Sequence, residues 1–348
     1  MMSVAHPTDR RRWAHNGRSE VTESRSGAST RSGGGWRLRC PGRRLARTRA
    51  HSAYFWVDVV AASICGPGQL RRRVQGSLRG LRFDMDSDDA VAWIIDDAAE
   101  MAALLREAEP DQPVPACPGW SAADLSGHIA RGFAAWYCYN ISTRADEWTP
   151  AGLMERWAAL VDDHETNIAS FEAGVAQFVS LCSELDLDSP TWSFNGVEPA
   201  GWWIRRAGTE LTVHLTDAAG IHGRRSSTTA QRHAEAIDEV TTEVFVRLPS
   251  IRAAMNAMMG SESPAPAPPE RSAALVADDT GRAWTLTRGV DGVTHTIRGI
   301  DGVPAAVARA SSADLLAWLH GRPMTERLST DGDPALLDEW NLLQRTEF

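Results

Sequence analysis

The sequence predicts a mainly α-helical protein in which a helical region is followed by a small α+β region. After Met85, apolar residues recur at helical spacing in several successive stretches. After the Pro- and Ala-rich stretch GSESPAPAPPERS, the pattern changes to the short strand-like runs AALVADD, RAWTLTR and THTIRGI, separated by turns. We therefore expect a helical domain over residues 85–260, a linker over 261–272 and a C-terminal α+β domain over 273–348.

The first part of the helical domain shows clear start and stop signals. A helix is expected over residues 87–108, and a second begins at SAADLSGHIARGFAAWYCYN. There Ser121 is a natural N-cap, and Asp124 three residues later completes a capping-box-like start. A long helical pattern follows over residues 151–185, and the stretch DLDSPTWSFNGVEPAG after it is expected to be a loop.

Three more helices follow along the chain. A fourth is expected from about residue 202 to residue 220, where a glycine is a natural stop, and a fifth over about 229–258. In the C-terminal domain, SSADLLAWLHGRP predicts a short helix that is capped by Ser311 or Ser312 and ended by Gly321.

The charge is distributed unevenly. Residues 1–84 carry about +12, so the rest of the chain carries about −21 of the net charge of −9. All 36 basic residues are Arg, which indicates a high-GC codon bias, and residues 1–84 show no helical or alternating periodicity. We expect residues 1–84 to be a disordered or mis-assigned N-terminal extension, with translation starting at Met85.

The composition argues against several classes of partner and location. An acidic body would repel a phosphate backbone, so no nucleic-acid partner is expected. The apolar run AYFWVDVVAASIC is interrupted by Asp58 and too short to span a bilayer, so no membrane partner is expected either. Five cysteines without paired spacing favour a reducing cytoplasm. The oligomeric state stays open.

One stretch, RRAGTELTVHLTDAAG, places a carboxylate, an imidazole and a second carboxylate on consecutive helical turns. Glu210 and His214 are four residues apart and so share a helix face, and Asp217 can orient His214 from the next turn. His128 on the second predicted helix is the candidate third ligand. His–Glu–His is an open three-ligand set typical of a catalytic divalent metal such as zinc.

Simpler interpretations compete with this one. Glu210 and His214 could form a solvated polar stripe, Arg206 could pair with Glu210, and His128 could be a satisfied core histidine. Cys117 beside a proline is expected to be a buried small residue rather than a nucleophile, and Trp120, Trp202 and Trp203 to be core or pocket wall. Four histidines without identifiable partners are expected at the surface. They are His164, His222, His233 and His320.

Two stretches, VPACPGWSAADLSGHIA and WWIRRAGTELTVHLTDAAG, resemble the mycothiol-dependent maleylpyruvate isomerase family. The family's Pro-Gly-Trp turn and following Asp, Leu and His correspond to Pro118, Gly119, Trp120, Asp124, Leu125 and His128. Its later Arg, Glu, His and Asp correspond to Arg206, Glu210, His214 and Asp217, whereas Thr209 replaces a family histidine that is not a metal ligand.

The resemblance implies a DinB-like up-down four-helix bundle and, from VADDTGRAWTLT and ADLLAWLHGRP, a sterol-carrier-like α/β C-terminal domain. It also implies a zinc ion on His128, Glu210 and His214, mycothiol as thiol co-substrate and a small electrophilic substrate. Metal coordination would convert the thiol to its thiolate, which is the nucleophilic form. Isomerisation, S-transfer and hydrolysis by metal-bound water all stay open.

A cation near the site would suit an anionic substrate or thiol. Arg322 in HGRP is the candidate catalytic residue, reaching across the cleft from the C-terminal domain. The alternative is that Arg322 only caps the end of its own helix, where a cation suits the helix dipole. The alternative function is a non-catalytic metal-binding or regulatory module on the same helices.

Overall fold

The computed structural model of the chain describes residues 87–161, 163–194, 196–259, 262, 264–324 and 328–345. The chain divides into two compact units, Met1–Thr48 and Arg49–Phe348, and every described residue lies in the second. The expected N-terminal extension, residues 1–84, lies outside the described residues.

Helices make up most of the described residues. In chain order the α-helices are α1 (Ser87–Glu107), α2 (Ala122–Ala130), α3 (Cys138–Ser142), α4 (Pro150–Ala158), α5 (His164–Glu184), α6 (Trp202–Ile221), α7 (Ala230–Glu239), α8 (Phe245–Met259), α9 (Ser312–Leu319), α10 (Pro334–Trp340) and α11 (Leu342–Arg345). Two π-helical segments, π1 (Arg131–Tyr137) and π2 (Val240–Val244), join α2 to α3 and α7 to α8.

The described strands form two sheets. The strands are β1 (Pro190–Ser193), β2 (Gly196–Pro199), β3 (Ala273–Ala277), β4 (Arg282–Arg288), β5 (Thr294–Arg298), β6 (Ala306–Ala310) and β7 (Ser329–Gly332). Strands β1 and β2 form a hairpin before α6, and the other five form a sheet of order β5-β4-β3-β6-β7 in the C-terminal region. In that sheet β3 runs parallel to β6, and the other neighbours are antiparallel. The predicted mainly α protein with a small mixed region is confirmed at this level.

The helical region packs around one apolar core. Helix α1 contacts α5 and α6, and α2 contacts the same two helices. Side chains of all four helices are buried between them, among them Leu105, Leu125, Phe171 and Leu211. Burying such side chains is the main stabilising contribution, at roughly 1.5–3 kcal/mol each. This core fixes α2 and α6 side by side, which positions the candidate site.

Helix α7 connects the helical region to the sheet. It contacts α6 on one side and α9 on the other. Asp238 at its end accepts hydrogen bonds from Trp284 Nε1 at 2.8 Å and from Arg298 Nε and Nη2, both at 2.7 Å. Arg205 on α6 also pairs with Asp238. One buried carboxylate therefore joins α6, α7, β4 and β5.

Two helix predictions need correction. The pattern over residues 151–185 forms two helices, α4 and α5, because the Asp163 side chain accepts a hydrogen bond from Thr166 N at 3.0 Å and starts a new helix. Val161 lies between them and is 58% exposed. The predicted fifth helix, residues 229–258, consists of α7, π2 and α8.

The loop predicted from DLDSPTWSFNGVEPAG contains the β1–β2 hairpin. Gly196, with φ of 111°, follows the turn, and Trp192 pairs with Val197 across it. Strands β6 and β7 were also absent from the sequence prediction, whereas β3, β4 and β5 correspond to the three predicted runs. The Ser121 capping box, the Ser311 cap and the Gly321 stop are confirmed.

Candidate metal centre

Helix α6 presents four polar side chains along one buried face. They lie at the spacing of consecutive turns, and each is at most 8% exposed. A solvated polar stripe is therefore wrong for this face. The four are Arg206, Glu210, His214 and Asp217.

His128 reaches the same place from α2. A tight turn precedes that helix, with Trp120 N donating to Cys117 O at 3.0 Å and Gly119 at φ of 92°, a conformation that glycine adopts without strain. Ser121 and Asp124 then form the capping box that starts α2. The turn and cap together fix where His128 emerges, two turns into the helix.

The three predicted ligands converge. His128 Nε2 and His214 Nε2 each lie 3.1 Å from the same oxygen, Glu210 Oε1. One donor atom from each of the three residues lies within 4.8 Å of the others, and all three are buried. Trp120 stacks on His214 with ring centroids 6.3 Å apart and covers this side of the cluster.

The donor set fits a divalent ion. Two donors at about 2.1 Å from a tetrahedral zinc are about 3.4 Å apart, close to the distances seen here. Two imidazoles and one carboxylate suit zinc, and nickel and related ions accept the same ligands. Three protein ligands leave a position for an external ligand, which distinguishes a catalytic from a closed structural site.

Surrounding groups set the ionisation of the three side chains. Burial lowers the pKa of His128, and the nearby His214 adds to this. Burial also opposes charge on His214, but hydrogen bonds to Asp217 and Glu210 raise its pKa above the usual value. Burial opposes charge on Glu210 too, yet hydrogen bonds from both histidines and the charge of Arg206 hold its pKa well below the usual range. The cluster is therefore anionic at its carboxylate, as a cation site needs.

A second layer of contacts orients His214. Its Nδ1 lies 2.9 Å from Asp217 Oδ2, so that its Nε2 faces Glu210. Arg322 binds Asp217 through both oxygens, Nε to Oδ1 at 3.2 Å and Nη2 to Oδ2 at 3.0 Å. A carboxylate behind a metal-ligating histidine fixes the ring's tautomer and orientation.

The structure places Arg322 after α9, within the second layer. Besides its contacts with Asp217, its Nη1 donates to His320 O at 3.0 Å, at the C-terminal end of α9. Arg322 therefore contacts Asp217 beside the ligand cluster and also caps the C-terminal end of α9. The two sequence interpretations of Arg322 do not exclude each other. The catalytic role predicted for Arg322 stays a prediction.

Cys117 lies in the same layer. Its Sγ is 3.4 Å from Asp217 Oδ2 and 3.6 Å from Arg322 Nη2. Burial, together with the charge of Asp217, raises the pKa of the Cys117 thiol well above its usual value. A thiol that stays protonated is a poor nucleophile, which agrees with the prediction of a buried small residue.

Arg206 orients the carboxylate ligand. Its guanidinium contacts Glu210 four residues along α6 and also Glu239 at the end of α7. Glu239 was not predicted from the sequence, because its distance along the chain hides the contact. Arg206 thus pairs with Glu210 without displacing it from the two histidines.

A small cavity, open to solvent, adjoins the ligand cluster on the side of His128 and Glu210. His128 and Glu210 lie in its wall, and four aromatic residues form much of the remainder. Sequence analysis missed these four as site residues, because three have ordinary core spacing and the fourth lies in an expected loop. They are Phe133, Trp136, Tyr137 and Phe194.

The prediction that four histidines lie at the surface is wrong, because none of the four is exposed. His222 and His320 are half-buried, with His222 Nε2 2.9 Å from Leu104 O and His320 Nδ1 2.9 Å from Leu316 O. The other two are buried. His164 is 6% exposed and contacts Ser126 Oγ at 2.9 Å and Leu105 O at 3.0 Å. His233 is 4% exposed and contacts Thr229 O at 3.0 Å. Backbone or hydroxyl oxygens therefore contact both buried rings. These contacts were not predicted from the sequence.

Thr209, which replaces a histidine of the family pattern, is 4% exposed. It lines a second cavity together with Asp97 and Arg232. The replacement of a histidine by Thr209 therefore lies where α1, α6 and α7 of the helical region meet.

A known family matches the segment that contains the three donors. Residues 91–219 match the family described as the mycothiol maleylpyruvate isomerase N-terminal domain. No curated protein matches the chain. Among the described residues, no helix is long and apolar enough to cross a membrane.

Solved structures give three likenesses at low identity. The crystal structure of the mycothiol-dependent maleylpyruvate isomerase has 13% identity and a TM-score of 0.47, covering 71% of this chain and 94% of that chain. A histidine-to-alanine variant of that enzyme has 12% identity, the same TM-score of 0.47 and the same coverage of 71% and 94%. An inverting alkylsulfatase from Pseudomonas sp. has 15% identity and a TM-score of 0.19, covering 73% and 50%.

The predicted family resemblance is thus confirmed over the segment that contains His128, Glu210 and His214. Residues 91–219 belong to the mycothiol maleylpyruvate isomerase N-terminal domain family.

Proposed function

We propose that this protein is a metal-dependent, mycothiol-using isomerase or S-transferase that acts on a small electrophilic substrate. The observation that carries the proposal is the convergence of His128, Glu210 and His214 within 4.8 Å of one another in a buried site. The family match over residues 91–219 supports mycothiol as the thiol.

His128, Glu210 and His214 would hold the ion, most simply zinc. When bound, such an ion supplies Lewis acidity that favours the thiolate form of a coordinated thiol. Asp217 holds the His214 ring by its Nδ1 at 2.9 Å, and Arg206 holds the second oxygen of Glu210. The chain therefore fixes two of the three ligands through partners of their own.

Arg322 has a proposed role of its own. Its side chain is 13% exposed and its charge is balanced by Asp217. We propose that Arg322 orients Asp217 in the free protein and supplies the cation that an anionic group of the thiol or substrate requires. The Arg322→Lys variant keeps the charge but loses the two-point contact with Asp217.

We also propose a fold for each of the two regions. The contacts of α1, α2, α5 and α6 support a DinB-like up-down four-helix bundle, and the sheet with α9 supports a sterol-carrier-like C-terminal domain. The proposed boundaries are residues 85–260, 261–272 and 273–348. The cytoplasmic location and the lack of nucleic-acid and membrane partners stay predictions from composition and charge.

Cobalt substitution tests thiol use directly. Protein loaded with Co(II) is titrated with mycothiol and, as the matched control, with S-methyl mycothiol. A thiolate-to-cobalt charge-transfer band with mycothiol alone is expected, and loss of that band in the His214→Ala variant is expected with it. A cobalt spectrum that mycothiol leaves unchanged would indicate the alternative, a non-catalytic metal-binding module.

A further inference from the structure

Glu239, the last residue of α7, carries a buried carboxylate that pairs with Arg206 on α6. Arg206 Nη1 donates to Glu239 Oε2 at 2.5 Å, and Glu239 is 1% exposed. The other oxygen, Glu239 Oε1, is also buried and has no hydrogen-bond partner in the part of the chain that the structure describes. A buried carboxylate with one unsatisfied oxygen costs stability, so packing alone does not account for a glutamate at this position.

The two oxygens of the ligand Glu210 have different partners. Its Oε1 lies 3.1 Å from Nε2 of both His128 and His214, whereas its Oε2 accepts a hydrogen bond from Arg206 Nη2. An ion between the three ligands would therefore be bound by Glu210 Oε1 alone. A carboxylate that bound through both oxygens would fill the position that an external ligand needs.

Arg206 brings a positive charge next to a cation site. Its guanidinium contacts Glu210, and by itself this contact would weaken the carboxylate as a ligand, because like charges repel across a short distance. Glu239 supplies a second carboxylate to the same guanidinium. Burial raises the pKa of Glu239, and the charge of Arg206 opposes this rise. The charge that Arg206 sets against a bound cation is thus offset by a carboxylate outside the ligand cluster.

We infer that Glu239 is a positioning residue of the metal centre, which acts through Arg206 to keep Glu210 bound to the ion by one oxygen and to preserve its negative charge for the ion. Helix α7 holds Glu239 firmly, because the preceding residue, Asp238, accepts hydrogen bonds from β4 and β5. This inference rests on the metal binding in the proposed function.

Glu239→Gln removes the charge of the side chain and keeps its shape. The zinc affinity of the full chain is measured by competition with a chromophoric chelator at about pH 8, well above the usual pKa of a glutamate. We expect zinc affinity to fall roughly 10–100-fold, as for other groups that orient a metal ligand. In the Co(II)-loaded variant the visible absorption bands are expected to shift and weaken, because a second Glu210 oxygen raises the coordination number.

Glu235→Gln is the matched control. Glu235 lies one turn earlier on α7, is 7% exposed and pairs with Arg282 rather than with Arg206. Its substitution is expected to leave the cobalt spectrum unchanged and zinc affinity within about twofold of the wild type. Thermal unfolding of the zinc-free proteins reports the effect of each substitution on the fold. Wild-type zinc affinity in Glu239→Gln, or an equal loss of affinity in Glu235→Gln, would overturn the inference.

A second variant covers a folding failure of Glu239→Gln. Arg206→Lys keeps the charge, but a lysine ammonium lacks the planar fork that contacts two carboxylates at once. This variant is expected to weaken zinc binding and to change the cobalt bands in the same direction as Glu239→Gln. Unchanged zinc affinity and an unchanged cobalt spectrum in Arg206→Lys would overturn the inference, whereas a wild-type chain that binds no zinc would instead overturn the proposed function.

Discussion

Asp217 is the residue at which the ligand cluster and the C-terminal region meet. It contacts His214 on one side and Arg322 on the other, and it is 1% exposed. Burial opposes its charge, but Arg322 and His214 hold the pKa of Asp217 well below its usual value. Asp217 is therefore ionised at neutral pH and can hold the His214 ring in a fixed tautomer.

Asp217→Asn is expected to lower zinc affinity by roughly 10–100-fold, because the amide holds the His214 ring less firmly. The measurement is competition with a chromophoric chelator. Asp278→Asn, at an exposed carboxylate, is the control and should leave zinc affinity unchanged. Unchanged zinc affinity in Asp217→Asn together with lower stability would show that Asp217 has a structural role alone.

At the scale of elements, Gly174 determines how closely α5 approaches π1. A Cβ at this position would lie 2.5 Å from Ala134 N and 2.8 Å from Phe133 C, both backbone atoms that cannot rotate away. The same segment, π1, supplies three of the four aromatic residues of the cavity. A glycine in the middle of a helix thus allows the close packing behind the cavity wall.

Gly174→Ala is expected to destabilise the fold by about 1–3 kcal/mol, the usual effect of overpacking a core. Gly220→Ala, with open space around its Cβ, should be neutral or stabilise by about 1 kcal/mol through helix propensity. Urea unfolding of the two variants measures both. Equal stabilities would contradict the close approach of α5 and π1.

We expect the contact between α1 and α7 to make the stability of the protein depend on pH. Asp97 on α1 pairs with Arg232 on α7, but burial outweighs that pairing and raises the pKa of Asp97 to about 6 from 3.8. In this interval the unfolded chain has already lost the proton that the folded protein retains. The contribution of Asp97 to the free energy of unfolding is therefore complete below pH 3.8 and is lost as pH rises to about 6.

The Asp97→Asn variant isolates this effect, since its amide does not titrate. The stability of the wild type relative to Asp97→Asn is expected to fall between about pH 4 and pH 6, by up to about 3 kcal/mol, and then to level off. Denaturant unfolding across this pH range measures the difference. A relative stability that stays constant or rises with pH would contradict the raised pKa.

At the scale of the whole molecule, Asp238 connects the helices to the sheet. Arg205, Trp284 and Arg298 all contact its carboxylate, and the Asp238 side chain is 2% exposed.

Asp238→Ala is expected to destabilise the protein by about 3–5 kcal/mol, because it leaves the buried Arg205 guanidinium without this carboxylate. Asp278→Ala, which breaks a surface pair with Arg309, should change stability by less than about 1 kcal/mol. Similar effects in both variants, measured by urea unfolding, would contradict a central role for Asp238.

Much of the fold follows from local signals, and the site follows from them only in part. The Ser121 capping box, the Ser311 cap and the Glu210–His214 spacing all depend on residues within four positions of one another. Such short-range relations are visible in a sequence. They predicted the helix starts and the face on which the ligands lie.

The remaining features arise from residues far apart in the chain. The pairing of Arg206 with Glu239, the burial of His164 and the cavity wall at Phe194 each depend on tertiary packing. The β6 and β7 strands likewise depend on the sheet that they complete. No local periodicity reports these contacts, so the sequence alone could not predict them.

The central claim is that His128, Glu210 and His214 bind one divalent ion. The most direct test is the metal content of the full chain, purified without chelator and measured by plasma mass spectrometry, alongside the His214→Ala and His295→Ala variants. His295 is an exposed histidine outside the cluster and controls for adventitious binding. About one ion per chain in the wild type and in His295→Ala, lost in His214→Ala, is the expected result. The absence of metal from all three after incubation with zinc, or its retention in His214→Ala, would contradict the claim.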